Sequence, residues 1–173
     1  MTIKLIGAAA IIISSWVAGI IFSMKSAYRL EDLEEFKKAV SIFSDSISLS
    51  APPISEIFKD ISKRVNGPVA MIFDDAGKMA EGKNYPSAEE IFKNAVDKNI
   101  KNLYFEAGEM DCLYSFGKNL DLEYSHEQKN GASIIISNIN LNQKALKEQA
   151  EKDKRLYSSA GVLCGILMCV ILF

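Results

Sequence analysis

The stretch LYSSAGVLCGILMCVILF, residues 156–173, carries no charge over 18 positions and follows the basic cluster Lys152-Asp153-Lys154-Arg155. A run that long without a charge reads as a membrane span rather than a core helix, since about 20 apolar residues cross a bilayer as a helix. A second uncharged run of 20 residues, Leu5 to Met24, lies near the other end of the chain. Together they predict a helical hairpin in a bilayer that holds residues 25–155 on one side. At about 1.5 Å per residue the last run covers ~27 Å, slightly under a hydrocarbon thickness of ~30 Å, so it is expected to stand nearly upright.

Basic residues beside the runs set the expected orientation. Outside the hairpin there is only Lys4 with the N-terminal amine, whereas Lys25, Arg29, Lys37 and Lys38 follow the first run and Lys144, Lys147, Lys152, Lys154 and Arg155 precede the second. The positive-inside rule then places the middle of the chain in the cytoplasm and both termini on the far side. Lys152, Lys154 and Arg155 also stand where they would meet anionic lipid headgroups. The first run reads as a retained anchor rather than a signal peptide. It is longer than the ~7–15 apolar residues of a signal sequence, and Ser23-Met24-Lys25-Ser26-Ala27 is a poor cleavage site.

The expected organisation is therefore a transmembrane helix over 1–24, a cytoplasmic domain with a C-terminal stalk over 25–155, and a second transmembrane helix over 156–173. The middle holds all 22 acidic residues and 19 of the 20 basic ones, a near balance. No dense basic face marks a nucleic-acid partner. Cys112, Cys164 and Cys169 have the spacing of neither a zinc site nor a disulfide framework.

Within the middle, Leu30, Leu33, Phe36, Val40, Phe43 and Ile47 recur at steps of three and four. This is an amphipathic helix that continues from the first span, because no Gly or Pro lies between Phe22 and Ser50. Ala51-Pro52-Pro53 stops it. Ile54, Ile57, Phe58, Ile61 and Val65 give a second helix, closed by Asn66-Gly67-Pro68; Val69, Ile72, Phe73, Ala76 and Met79 give a third, ended near Gly82. Pro86-Ser87 opens a fourth, with Ser87 and Glu90 at capping-box spacing and Ile91, Phe92, Ala95 and Val96 as its stripe. A fifth is expected over Tyr104 to Leu120 after a linker, Lys98 to Leu103. In Ala132 to Leu141 the β-branched run Ile134-Ile135-Ile136 competes for a strand, but Ala132, Ile135, Ile139, Leu146 and Ala150 continue the helical spacing. A sixth helix from about Glu127 to Leu156 would be ~45 Å long and would form the stalk. The fold class is all-α: two transmembrane helices flanking an antiparallel cytoplasmic bundle of five to six helices.

The sequence specifies little catalytic chemistry. Glu123 and the single histidine, His126, have the spacing of two metal ligands on one helical face, but a di-metal bundle needs a second such pair. No glycine-rich phosphate loop occurs. The neighbouring carboxylates Asp74-Asp75 and Glu89-Glu90 diverge around their helices and share no site. No catalytic residue, cofactor or metal is assigned. More specific is the small-residue spacing in the spans: Ser15, Gly19 and Ser23 in the first, Gly161 and Gly165 in the second. Such spacing lets helices approach closely in lipid.

Other residues carry a resemblance. Lys4-Leu5-Ile6-Gly7-Ala8 at the start, Arg29, Leu33, Val40, Ile42-Phe43 and Ile47 in the first helix, and Pro53-Ile54 are similar to the stage III sporulation protein AB family of endospore-forming bacteria. Gly82, Phe92, Ala95, Phe116-Gly117, Leu120, Gln128 and the ending Tyr157-Ser158 with Gly161-Val162-Leu163 follow the family's order. Asp121 stands where the family tends to have glycine, Tyr124 where it tends to have an acid, and Phe92 where tryptophan is usual. The resemblance implies a subunit of the secretion-like channel between mother cell and forespore. Its place would be the mother-cell-derived outer forespore membrane, and its domain would be similar to type II secretion F-type platform proteins. Its implied partners are the cytoplasmic ATPase stage III sporulation protein AA and other channel subunits, with a homo-oligomer also allowed.

The leading expectation is a non-enzymatic membrane platform. Its contact candidates are the acids of the first helix, Glu31, Asp32, Glu34 and Glu35, expected to be exposed, together with Lys152, Lys154 and Arg155. The alternative is a membrane-tethered sensor whose bundle binds a small ligand or metal, for which Glu123 and His126 are the only suggestion.

Overall fold

The computed structural model describes the backbone of residues 2–49, 52–82, 87–122 and 125–172, and the side chains of 25–48, 52–82, 87–122 and 127–152. Among the described residues it is all-α, with six α-helices and no strand. In chain order they are α1 Thr2–Leu49, α2 Ile54–Arg64, α3 Gly67–Glu81, α4 Ala88–Asn99, α5 Ala107–Asn119 and α6 Ser125–Leu172; a single 3-10 turn, Ile100–Asn102, follows α4. Residues 29–144 form one compact unit, and the two chain ends, 1–28 and 145–173, form another.

The 29–144 unit is built on phenylalanine. Phe36, Phe43, Phe58, Phe73, Phe92 and Phe116 are fully buried and come from α1, α1, α2, α3, α4 and α5. Phe116 is the hub, with ring centroids 5.9 Å from Phe36, 5.1 Å from Phe43, 5.9 Å from Phe73 and 5.1 Å from Phe92. Most of these pairs meet edge to face, the geometry that the ring quadrupole favours. Leu33, Val40, Ile61, Ile72, Leu113, Ala132 and Ile139 complete the same core. Ile135 faces that core from α6, so Ile134-Ile135-Ile136 lies on a helix, as the longer spacing predicts.

The polar pairs fix helix directions. Ala88 meets Asp121, Phe92 meets Phe116 and Asp97 meets Tyr114, so α4 and α5 run antiparallel. Asn119 meets Gln128 and Gly108 meets Asn142, so α5 and α6 do too. Arg29 meets Glu109 while Phe43 meets Phe116, which makes α1 and α5 parallel. This is the up-and-down order that short connections favour.

Two boundaries differ from the sequence reading. The fifth helix begins at Ala107, not Tyr104, because Glu106 is its N-cap in a reciprocal capping box with Glu109. The 98–104 connection contains the 3-10 turn. In the 120–125 connection, Leu120 and Asp121 form the turn after α5, and α6 begins at Ser125.

The two expected spans fall in α1 and α6, whose backbones are helical there, but their side chains lie outside those described. Among the described residues no helix is long and apolar enough to cross a membrane. Ser15, Gly19, Ser23, Gly161 and Gly165, and the packing expected of them, likewise lie outside the described side chains.

Candidate functional site: the charged flank of the first helix

On α1, Arg29, Leu33, Phe36, Val40 and Phe43 share the core-facing stripe, so the only cation of that stripe must find anions inside the bundle. It finds two. Arg29 Nη2 donates to Glu109 Oε1 at 2.7 Å and Oε2 at 2.8 Å, and Nη1 pairs with Glu106 Oε2 at 2.6 Å. Glu109 is only 3% exposed. The fork of a guanidinium matches the two carboxylate oxygens, which makes this a directional clasp between α1 and the start of α5. Glu109 is shared further: its Oε2 also accepts the Glu106 backbone N–H at 2.9 Å, so one carboxylate caps α5 and holds α1. Arg29 Nε is buried and has no hydrogen-bond partner among the described residues.

The next acids along α1 continue this stitching. Asp32 is 7% exposed and its Oδ2 accepts the Tyr104 backbone N–H at 3.3 Å. Burial pushes its carboxyl above the usual range, and the neighbouring Glu31 adds to that, against the Tyr104 hydrogen bond. Glu35 accepts the Asn66 backbone N–H at 2.9 Å and its side-chain amide at 3.3 Å, directly before α3. A carboxylate at a helix start is favoured by the exposed N–H groups and the helix dipole. Gly67 follows with φ 64, a left-handed conformation that a side chain would strain.

The exposure expected of the four acids is therefore corrected for two of them. Asp32 is buried and Glu35 is half-buried and engaged, because both flank the apolar stripe; Glu31 and Glu34 lie on the opposite side and are exposed. Lys152 is exposed, while Lys154 and Arg155 fall outside the described side chains. Glu123 and the His126 side chain do so as well, and among the described residues no three or more His, Cys, Asp or Glu side chains gather to hold a metal.

Polar side chains outside the contact candidates hold the start of α4 and two further junctions. Asp121 accepts the backbone N–H groups of Ala88 at 2.8 Å and Glu89 at 3.2 Å, while Ser87 Oγ accepts that of Glu90 at 3.1 Å. Three of the free donors of α4 are satisfied this way, one by the capping spacing visible in the sequence and two by an acid over 30 residues away. Asp75 accepts from Lys98 at 2.9 Å and from Asn99 at 2.8 Å, tying α3 to the end of α4. Burial raises its carboxyl, but those hydrogen bonds and the Lys98 and Lys78 charges prevail and hold it below the usual range. At the α5 to α6 corner, Asn119 donates to Gln128 O at 2.7 Å, and Gln128 donates to Leu120 O at 3.1 Å and Leu122 O at 3.0 Å. Cys112 is buried, and burial first, then Glu109 and Asp111, push its thiol up, so it is an inert packing group.

These features define an all-helical bundle protein whose interior charges join helix to helix and helix start to neighbouring acid. The chain belongs to the family described as stage III sporulation protein AB, whose model matches residues 4–173. The stage III sporulation protein AB of Bacillus subtilis strain 168 is 21% identical over 172 residues, covering 98% of this chain and 99% of that protein. A solved structure of a stage III sporulation protein AB shares the fold with a TM-score of 0.66 at 16% identity, covering 72% of this chain and 97% of its own. Family membership gives the chain a sporulation-related role.

Proposed function

We propose that the chain is a non-enzymatic membrane platform of the secretion-like channel between mother cell and forespore, and that its bundle receives a cytoplasmic ATPase of the stage III sporulation protein AA kind. The observation that carries this reading is the family match over residues 4–173, which takes in the bundle and both uncharged runs together. The two chain ends falling into one compact unit supports a paired anchor. In this reading the uncharged runs cross the outer forespore membrane, the basic residues beside them keep the bundle in the mother-cell cytoplasm, and other channel subunits pack in the same membrane. Lys152, Lys154 and Arg155 meet anionic headgroups.

The role is positional. The Arg29 clasp couples the first helix to α5, so a load arriving at the bundle surface passes to the helices that lead to the chain ends. Glu31 and Glu34 offer an acidic contact on the outer side of α1. The test is recovery of partners with an affinity-tagged full chain from gently solubilised membranes of sporulating cells. The ATPase and channel subunits should be enriched over an untagged control, and their absence when the tagged chain itself is recovered intact would remove the reading.

A further inference from the structure

On the outer side of α6, Ile134 is 63% exposed and Leu141 is 65% exposed. Single exposed aliphatic residues need no explanation. This pair stands in an unusual setting: no charged residue occurs in the 14 positions from Asn130 to Gln143, although these lie on a surface helix of a chain that is 24% charged. The outer sides of the other bundle helices are different. They carry Lys63 and Arg64 on α2, Lys78 and Glu81 on α3, Glu90, Lys93 and Asp97 on α4, and Asp111 and Lys118 on α5, all exposed. Lys129 and Lys144 bound the uncharged stretch on both sides.

We propose that this face of α6 packs against the same face of a second copy of the chain. Two observations select that occupant. In a two-fold contact every residue near the axis meets its own copy, so any charge there would face a like charge, and an uncharged strip is what such a contact requires. Anionic lipid headgroups or an oppositely charged partner would instead call for charged residues at these positions. The second observation is spacing. Ile134 and Leu141 are seven residues apart with the exposed Asn138 between them, a heptad arrangement of two aliphatic residues and one amide. The Asn138 side chain has no hydrogen-bond partner among the described residues, and an amide, being both donor and acceptor, can bond to its own copy and set the register. Lying midway between Ile134 and Leu141, it falls near its copy whichever way the two helices run.

The test uses the purified full chain in detergent and a mild oxidant, with covalent dimer read on non-reducing gels. Asn138→Cys should give several-fold more dimer than the wild-type chain, whose Cys112, Cys164 and Cys169 set the background, and several-fold more than Glu90→Cys on α4. Adding Ile134→Glu and Leu141→Glu to Asn138→Cys should return dimer to background while the melting temperature, read by circular dichroism, stays unchanged. Sedimentation of the unoxidised wild-type chain should give a dimer mass that Asn138→Lys alone converts to monomer. Equal crosslinking at positions 138 and 90, or a wild-type mass of one chain across the concentration range, would overturn the proposal.

Discussion

At the scale of single residues, a few polar side chains decide how the helices are joined. Replacing Arg29 with Met leaves the buried Glu109 carboxyl without its guanidinium partner, and breaking a buried pair from one side costs about 3–5 kcal/mol. A loss near 3 kcal/mol is expected in urea unfolding, and Arg29→Lys should recover little of it because a lysine lacks the two-pronged geometry; full recovery by Lys would show that charge alone matters there. Asp32 behaves oppositely. Its folded carboxyl titrates above the ordinary range, so the ionised form opposes folding at neutral pH, and that penalty fades as pH falls through the folded value to below the unfolded one. Asp32→Asn, which keeps an acceptor for Tyr104, should therefore stabilise the protein at pH 7 and lose that advantage near pH 3. A third case is Gly131, where an added Cβ would sit 1.8 Å from Asn119 Oδ1. Helix propensity favours Gly131→Ala by up to ~1 kcal/mol. Overpacking a buried corner costs about 1–3 kcal/mol, so net destabilisation is expected, and Asn119→Ala in the same chain should relieve part of it. Additive losses in that double variant would contradict the contact.

At the scale of elements, what was legible in the sequence follows from where the signal lives. The helices with apolar residues at steps of three and four were readable because burial of one helix face is a local pattern; the phenylalanines within it, Phe36, Phe43, Phe58, Phe73, Phe92 and Phe116, are all buried. Ser87 was readable as a cap because its partner Glu90 is three residues on. The start of α5 was not, since Tyr104 and Phe105 extend the apolar pattern while the Tyr104 N–H is claimed by Asp32 on α1. The inward roles of Asp32 and Glu35 were hidden for the same reason: their partners are 72 and 31 residues away. Asp121, noticed in the sequence only as a departure from the family's glycine, is a cap for α4. Asp121→Gly should cost about 1 kcal/mol and speed amide exchange in the first turn of α4 more than in α2. Uniform exchange across both helices would separate this residue from that cap.

At the scale of the whole molecule, the polar network does structural work throughout the 29–144 unit. Asp32 and Glu35, which look like a contact surface in sequence, are held by partners within the bundle, as are Arg29, Asp75 and Asp121. The proposed platform role requires a shape kept under load, and the clasps between α1 and α5, α1 and α3, and α3 and α4 meet that requirement. Glu31 and Glu34 remain on the outer side of α1 as the contact candidates there. The most direct measurement of the proposed platform role is flotation of liposomes carrying the full chain in the presence of a purified ATPase of the stage III sporulation protein AA kind. The ATPase should rise with the liposomes, and Glu31→Lys with Glu34→Lys should lower its share several-fold without changing the melting temperature. An ATPase that stays in the dense fraction while the chain itself floats would contradict the account.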